Sequence, residues 1–233
     1  GLSGIATSAH RWSQLVADTG VRLLDTRKTT PGWRDLEKYA VRTGGACNHR
    51  QGLYDMVMLK DNHIDLAGGI THAVRRTEAY LADRGLDLAI EVECRTLADV
   101  EEALGLDAIT RIMLDNFTPA QCRTAVERIA GRKETEASGG ITRETLRAYA
   151  ETGVTFISVG ALTHSAPAVD LNFKARLLET LLALLRRSAQ TITIPLFDGL
   201  SLYDVAIFFW KGIYEGAVTS RAASFSFSFF LAL

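Results

Sequence analysis

The chain has 233 residues, 47% of them hydrophobic, which is enough apolar material for the core of one barrel or two small domains. Its 26 basic and 27 acidic residues give a formal net charge of -1, which excludes a general attraction to nucleic acid or to an anionic membrane. The three cysteines, Cys47, Cys94 and Cys122, are widely spaced, which argues against a disulfide framework and a zinc knuckle and favours a reducing, cytoplasmic setting.

Residues 1–7 carry no signal-peptide pattern, and from residue 21 short apolar runs alternate with longer amphipathic stretches. This alternation is typical of repeated βα units around a parallel sheet. Predicted strands cover 21–25, 56–60, 88–93, 109–115, 133–137, 154–159 and 168–173. Predicted helices cover 34–44, 69–84, 96–104, 118–130 and 142–152. The sequence therefore predicts an α/β fold, an incomplete (β/α) barrel of about six or seven parallel strands with a helical C-terminal tail.

Local signals support these helices. Thr96, Thr118 and Thr142 are predicted N-caps, and glycines punctuate the far ends of three helices at positions 85, 105 and 153. One strand is a poor candidate, because residues 133–136 are too polar for a buried parallel strand and are placed mainly by the rhythm of the other elements.

The composition changes in the last quarter of the chain. We expect a catalytic barrel over 1–175 and a separate apolar tail over 176–233, with an amphipathic helix at 177–187. The tail resembles the start of a bacterial multi-span membrane protein of the virulence-factor BrkB type, which would make it foreign or fused. Its final apolar stretch, 222–233, is shorter than the roughly 20 residues that a membrane helix needs. The alternatives are a C-terminal helix that packs on the barrel and a membrane contact without a functional role.

Polar, motif-like residues follow the apolar runs at their C-terminal ends. In a βα barrel these ends open on one face, so the side chains are predicted to converge on a single mouth, where such folds place their active sites. The segments concerned are 25–32, 60–63, Glu93, 115–116, 138–140 and 160–164.

The predicted mouth is rich in cations. Arginine binds carboxylate and phosphate with two parallel hydrogen bonds, while lysine acts as a point charge, so this mixture suits a ligand with several anionic groups. The cluster comprises Arg27, Lys28, His49, Arg50 and Lys60, and His63 is a further candidate. Solvated surface charge is the alternative interpretation.

Two acidic residues face these cations in the predicted barrel. Glu93 and Asp115 suit Mg²⁺ held together with substrate oxygens, or hydrogen bonds to ribose hydroxyls, and their alternative role is structural pairing with Arg or Lys. The glycines at 139, 140 and 160 would let backbone N–H groups approach a phosphate, although ordinary turns also use glycine.

The segment DTRKTTPGWRDLEKYAVRTGGACNHRQGLYDMVMLKDNHI, residues 25–64, closely resembles quinolinate phosphoribosyltransferase. The resemblance continues through IEVECRTLADV, IMLDNF, EASGGI and ISVGALTHSAPAVDLNFK, and it covers nearly all of residues 1–174. It implies an enzyme that joins quinolinate to phosphoribosyl pyrophosphate with Mg²⁺ and no organic cofactor, releasing pyrophosphate and carbon dioxide and yielding nicotinate mononucleotide.

The resemblance also implies residue roles. Arg27, His49 and Arg50 would hold the two quinolinate carboxylates, and Lys28 and Lys60 would lie between quinolinate and pyrophosphate. Glu93 and Asp115 would serve the ribose hydroxyls and Mg²⁺, and with the two lysines they form the predicted catalytic set. The predicted lining of the 5′-phosphate pocket is Ser138, Gly139, Gly140, Gly160 and His164.

Several features depart from the family pattern. The family's N-terminal domain is expected to be missing, and with it an Arg-bearing helix that reaches into the partner subunit of the family's homodimer or hexamer. We therefore expect little activity from the chain alone. The alternatives are a ModD-like phosphoribosyltransferase relative with another substrate, and an inactive truncated or fused fragment.

Overall fold

The structure, a computed structural model, describes residues 1–168, 170, 183–188, 201–204, 206, 207 and 210. The chain divides into two compact units, Gly1–Asp170 and Leu171–Leu233. In the second unit residues 183–188 are helical. Apart from Ala168 and Asp170, the predicted strand at 168–173 lies outside the described residues, and so does the apolar stretch 222–233. Among the described residues no helix is both long enough and apolar enough to cross a membrane.

Six parallel strands form one sheet in the order β1-β6-β5-β4-β3-β2. They are β1 (Arg22–Leu24), β2 (Val57–Leu59), β3 (Ile90–Cys94), β4 (Ile109–Asp115), β5 (Glu134–Ser138) and β6 (Phe156–Ser158). Within the described part of the chain β1 and β2 are the edges of the sheet and do not pair, so the sheet stays open between them. The predicted α/β class and parallel strands are thereby confirmed.

Helices connect the strands. They are α1 (Leu2–Gln14), α2 (Arg34–Thr43), α3 (Asp61–Ala67), α4 (Ile70–Asp83), α5 (Leu97–Leu104), α6 (Pro119–Ile129), α7 (Arg143–Ala150) and α8 (Ala161–His164). Each of the five predicted helices is present, with bounds within two residues of the prediction. The sequence analysis did not predict α1, α3 or α8.

The sheet has one apolar face and one charged face. Ile90, Val92 and Cys94 belong to the main hydrophobic core, whereas the glutamates between them point to the opposite side, because successive residues of a strand alternate. The strand that looked too polar, β5, follows the same rule. Its Thr135 and Ala137 are buried, while Glu134 and Glu136 lie on the charged inner face and bind Arg111. A polar barrel interior therefore explains the polar run 133–136.

Three helices begin with the predicted threonine caps. The side chains of Thr96, Thr118 and Thr142 each accept a hydrogen bond from a backbone N–H in the first turn, at Asp99, Gln121 and Thr145 respectively. These bonds satisfy donors that a helix start leaves without partners inside the helix.

We expect Thr118→Ala to lower the free energy of unfolding by about 1 kcal/mol, because it removes the cap of α6. Thr124→Ala is the matched control, since the partner of the Thr124 hydroxyl among the described residues is the Ala120 carbonyl of the same helix. Urea denaturation of both variants checks this, and equal losses would show that the cap adds nothing.

Candidate active site

The C-terminal ends of neighbouring strands bring the predicted acidic residues together. Lys60 Nζ lies 3.1 Å from Glu93 Oε2, at the ends of β2 and β3. Asp115 ends β4 and is in register with Ser138 at the end of β5. Burial, and then the charge of Glu93, raise the pKa of the Asp115 carboxyl, because a second negative charge is close by. The predicted pair of carboxylates thus exists beside a lysine.

A pair of arginines forms the cationic part of the mouth. Burial and the charge of Arg27 lower the pKa of the Arg50 guanidinium, so the two like charges act on each other. Arg27 Nε is buried and has no hydrogen-bond partner among the described residues. A buried donor without a partner costs about 1–3 kcal/mol, a cost that an anionic ligand would remove. This arrangement suits a ligand with more than one anionic group.

The loops that follow β1 and β6 lie against each other. A Cβ atom placed on Gly160 would lie 3.0 Å from His164 Nε2 and 3.4 Å from Lys28 Cδ. Thr163 Oγ1 donates a hydrogen bond of 2.7 Å to the Lys28 carbonyl. Lys28 therefore lies beside the predicted phosphate-binding residues, and only a residue without a side chain at position 160 leaves this close approach undisturbed.

Asn116 belongs to the predicted mouth segment 115–116, although the sequence alone assigned it no role. It adopts a positive φ of 56°, which is uncommon for any residue with a side chain. Its Nδ2 donates to Asp115 Oδ2 at 2.6 Å, and its backbone N–H donates to the Ser138 carbonyl at 2.8 Å. Asn116 thereby orients one of the two predicted carboxylates.

We expect Gly139→Ala to disrupt this region more than Gly140→Ala does. Both glycines have positive φ values, 98° and 59°, which costs an L-residue about 1–2 kcal/mol. A Cβ on Gly139 would in addition lie 2.2 Å from Asn116 Oδ1, whereas a Cβ on Gly140 would meet no atom within 4 Å. Thermal unfolding and phosphate binding of both variants test this ordering, and equal effects would contradict it.

Comparison with known proteins identifies the family of the chain. The family model described as "Quinolinate phosphoribosyl transferase, C-terminal domain" matches residues 5–174. The chain belongs to the quinolinate phosphoribosyltransferase family. It is 48% identical over 189 residues to a chloroplastic nicotinate-nucleotide pyrophosphorylase (carboxylating) from Arabidopsis thaliana, across 74% of this chain and 53% of that protein. A probable nicotinate-nucleotide pyrophosphorylase (carboxylating) from Synechocystis is 49% identical over 177 residues, across 75% and 59% of the two chains.

Solved structures show the same quinolinate phosphoribosyltransferase fold. NadC from Streptococcus pyogenes matches with a TM-score of 0.69 and 41% identity, over 75% of this chain and 60% of that one. The nicotinate-nucleotide pyrophosphorylase from Francisella tularensis matches with a TM-score of 0.69 and 42% identity, over 73% and 59%. The chain spans about half the length of the curated relatives it matches.

Two further predicted site residues, His63 and His49, contact other groups of the protein. His63 Nδ1 accepts the Lys60 backbone N–H at 2.9 Å and so closes the start of α3. His49 is buried, with Nε2 lying 3.0 Å from Glu91 Oε2 and 3.2 Å from Glu136 Oε2. Direct contact of His49 with a ligand carboxylate stays a prediction, because in this structure its ring nitrogens face other protein groups.

Two opposing effects act on the protonation of His49. Burial acts to lower its pKa, but the carboxylates of Glu136 and Glu91, which both act at Nε2, outweigh burial and raise the pKa. Nδ1 instead accepts the backbone N–H of Arg50 at 2.7 Å, and it can accept only without a proton of its own. In this geometry the ring carries one proton, on Nε2, where it faces the carboxylates.

A buried ion pair between Lys38 and Asp25 anchors the segment that carries His49 and Arg50. Lys38 Nζ donates to Asp25 Oδ1 at 2.5 Å and to the His49 carbonyl at 2.9 Å. The other Asp25 oxygen accepts from Asn48 Nδ2, and the His49 backbone N–H donates to Asp25 Oδ1 at 2.8 Å. Asp25 directly precedes the predicted cationic loop, so this pair joins both halves of the cationic cluster.

The side chains of the acidic pair, Glu93 and Asp115, decide whether this site could hold Mg²⁺. Glu93 and Asp115 offer hard oxygen ligands, which this ion prefers. Among the described residues, the one group of three ligand-type side chains within coordination reach of one another is His49, Glu91 and Glu136, away from the acidic pair. Glu93 and Asp115 therefore fit a Mg²⁺ ion only if substrate oxygens or water supply its other ligands.

Proposed function

We propose that this chain is the catalytic domain of an enzyme that transfers a phosphoribosyl group from phosphoribosyl pyrophosphate to quinolinate. Decarboxylation accompanies the transfer and gives nicotinate mononucleotide, pyrophosphate and carbon dioxide. One observation carries the proposal: the paired guanidinium groups of Arg27 and Arg50, with an unfilled buried donor, belong to the same barrel mouth as the acidic pair of Glu93 and Asp115. The names of the relatives support it.

The residues divide the work by charge. Arg27 and Arg50 bind the two ring carboxylates of quinolinate and hold the ring nitrogen toward C1 of the ribose. This nitrogen forms a bond to C1 while the bond from C1 to the pyrophosphate oxygen breaks. The carboxylates of Glu93 and Asp115 stabilise the positive charge that develops on the ribose, and Lys60 and Lys28 stabilise the departing pyrophosphate.

Decarboxylation then follows from the cationic ring. The bond between the ring carbon next to the nitrogen and its carboxylate breaks, and carbon dioxide leaves. The electron pair stays on that ring carbon, stabilised by the adjacent positive nitrogen, until the carbon takes up a proton. This step needs no organic cofactor.

We further propose that Glu93 and Asp115 hold Mg²⁺ jointly with oxygens of phosphoribosyl pyrophosphate, and that Ser138, Gly139, Gly140, Gly160 and His164 line the 5′-phosphate pocket. Held by these residues, the ion would supply positive charge to offset that of the phosphates. The expected setting is cytoplasmic, in a homodimer or hexamer. Calorimetry tests the metal: adding EDTA should weaken binding of phosphoribosyl pyrophosphate and leave quinolinate binding unchanged.

The test of the whole proposal is ligand binding followed by turnover. Calorimetry of the chain should detect quinolinate and not nicotinate, which lacks the second carboxylate. Release of carbon dioxide should require both quinolinate and phosphoribosyl pyrophosphate, and we expect it to rise when the N-terminal portion of a relative is added. Failure of quinolinate to bind, or equal binding of nicotinate, contradicts the proposed substrate.

A further inference from the structure

Four ionisable side chains form a buried charge cluster inside the barrel, made of His49, Glu91, Arg111 and Glu136. They are at most 9% exposed, and the two glutamates are fully buried. Glu91 and Glu136 each precede a residue of the mouth by two positions, so they lie on the same sheet face but deeper in the barrel. The residues predicted for substrate binding include only one of these four, His49.

The contacts inside this cluster converge on the His49 ring. Nε2 lies 3.0 Å from Glu91 Oε2 and 3.2 Å from Glu136 Oε2, within ion-pair distance although outside hydrogen-bond geometry, and Arg111 Nη1 donates to the same Glu136 oxygen at 3.1 Å. Burying two carboxylates is costly, and a well-packed apolar cluster in their place would often be as stable or more stable. Stability alone therefore does not account for these buried charges.

The opposite edge of the His49 ring faces the mouth segment. Nδ1 accepts the Arg50 backbone N–H at 2.7 Å, so the ring connects the buried carboxylates with the residue that carries the mouth guanidinium. The same bond argues against a metal at this cluster. A histidine that binds a metal through Nε2 normally donates a hydrogen bond from Nδ1, and here Nδ1 meets a donor instead.

We propose that Glu91 and Glu136 are positioning residues, which fix the His49 ring so that its Nδ1 holds the Arg50 backbone and thereby directs the Arg50 guanidinium into the anion site. The inference rests on the proposed function for its ligand, quinolinate. Among the described residues, the Arg50 side chain makes one hydrogen bond, from Nη1 to the Met56 carbonyl at 3.2 Å. Loss of the backbone anchor should therefore change the direction of the guanidinium.

The decisive variants are Glu91→Gln and Glu136→Gln, which keep the size of the side chain and remove its charge. Glu134→Gln is the matched control. Glu134 lies on the same strand as Glu136 and binds Arg111 at 2.9 Å, but it makes no contact with His49 among the described residues. We expect both decisive variants to raise the Kd for quinolinate about tenfold, by analogy with the roughly 10–100-fold cost of removing a residue that orients a metal ligand. The Kd for phosphoribosyl pyrophosphate should stay within about twofold, and the control should change neither.

Nitrogen-15 NMR of the chain supplies a readout that does not depend on the ligand. In the wild type, the Nδ1 signal of His49 should be that of an unprotonated ring nitrogen, and the Arg50 amide should show a hydrogen bond. Both signals should shift in Glu91→Gln and Glu136→Gln and stay in place in Glu134→Gln. Glu91→Asp, which keeps the charge and shortens the reach, should shift them too and serves if an amide variant does not fold.

The outcomes separate the two proposals. If wild-type chain binds no quinolinate but the NMR shifts occur as expected, the proposed substrate is wrong and the positioning role stands. If the Arg50 amide is unmoved in the folded glutamate variants, or if both ligands lose affinity equally, the positioning role is overturned.

Discussion

Lys38→Met is expected to lower the free energy of unfolding by about 3–5 kcal/mol, because it leaves the Asp25 carboxylate buried without its cation. Lys38 is 1% exposed and Asp25 is fully buried, so water cannot replace the lost contact. Asp25 also accepts hydrogen bonds from the Asn48 side chain and the His49 backbone, which favour its charged form. Urea denaturation measures the loss.

Two further variants isolate the buried charge as the cause. Adding Asp25→Asn to Lys38→Met should recover part of the stability, since an amide keeps the shape without the charge. Arg147→Met removes a surface cation that binds Asp18 and should leave unfolding unchanged within error. A double variant no more stable than Lys38→Met would show that lost packing, not charge, dominates.

The pH dependence of the same loss has a definite sign. Burial already raises the pKa of Asp25, and Lys38 is the main group that opposes this rise. Without Lys38 the pKa in the folded state rises further above the unfolded value, so stability is retained at low pH and lost as pH rises through the folded pKa. Lys38→Met should therefore cost less at pH 5 than at pH 8.

Hydrophobic periodicity was sufficient to predict five helices and five of the six strands, because those elements bury one regular face. It missed the 13-residue α1, and also α3 and α8, which are seven and four residues long and carry motif residues in place of an apolar stripe. The sixth strand, β5, was placed by the rhythm of the other elements and looked unsuitable, because a strand buried on both faces is expected to be apolar. In fact Arg111, on the neighbouring strand β4, binds both glutamates of that strand, and no local pattern reveals a partner that lies on another strand.

The convergence of the mouth residues was predictable from the fold class alone, because the ends of parallel strands meet on one side of the barrel whatever the loop sequences are. The buried charge cluster was not, because contacts among residues 49, 91 and 136 depend on strand register. One signal was available in IEVEC, where Glu91 and Glu93 alternate with apolar residues. Such alternation in a strand buried on both faces indicates a polar interior, and it would have singled out Glu91.

Arg27→Ala and Arg50→Ala are expected to weaken quinolinate binding by about 1.5–3 kcal/mol each, the usual cost of losing a charged hydrogen-bond partner. This corresponds to roughly ten- to a hundredfold in Kd. Binding of phosphoribosyl pyrophosphate should change much less, because its phosphates are assigned to Lys28, Lys60 and the glycine loops. Calorimetry with each ligand in turn measures the difference.

Substitution by lysine separates charge from shape. Arg27→Lys keeps the positive charge but lacks the planar fork that binds a carboxylate through two parallel hydrogen bonds, so its loss should fall between wild type and Arg27→Ala. Arg123→Ala, on the exposed face of α6, is the control and should bind both ligands normally. Because Arg27 Nε is buried without a partner in the described part of the chain, Arg27→Ala should also leave the domain as stable as wild type or more stable. A less stable Arg27→Ala that still binds quinolinate normally would make Arg27 a structural residue and move the anion site elsewhere in the mouth.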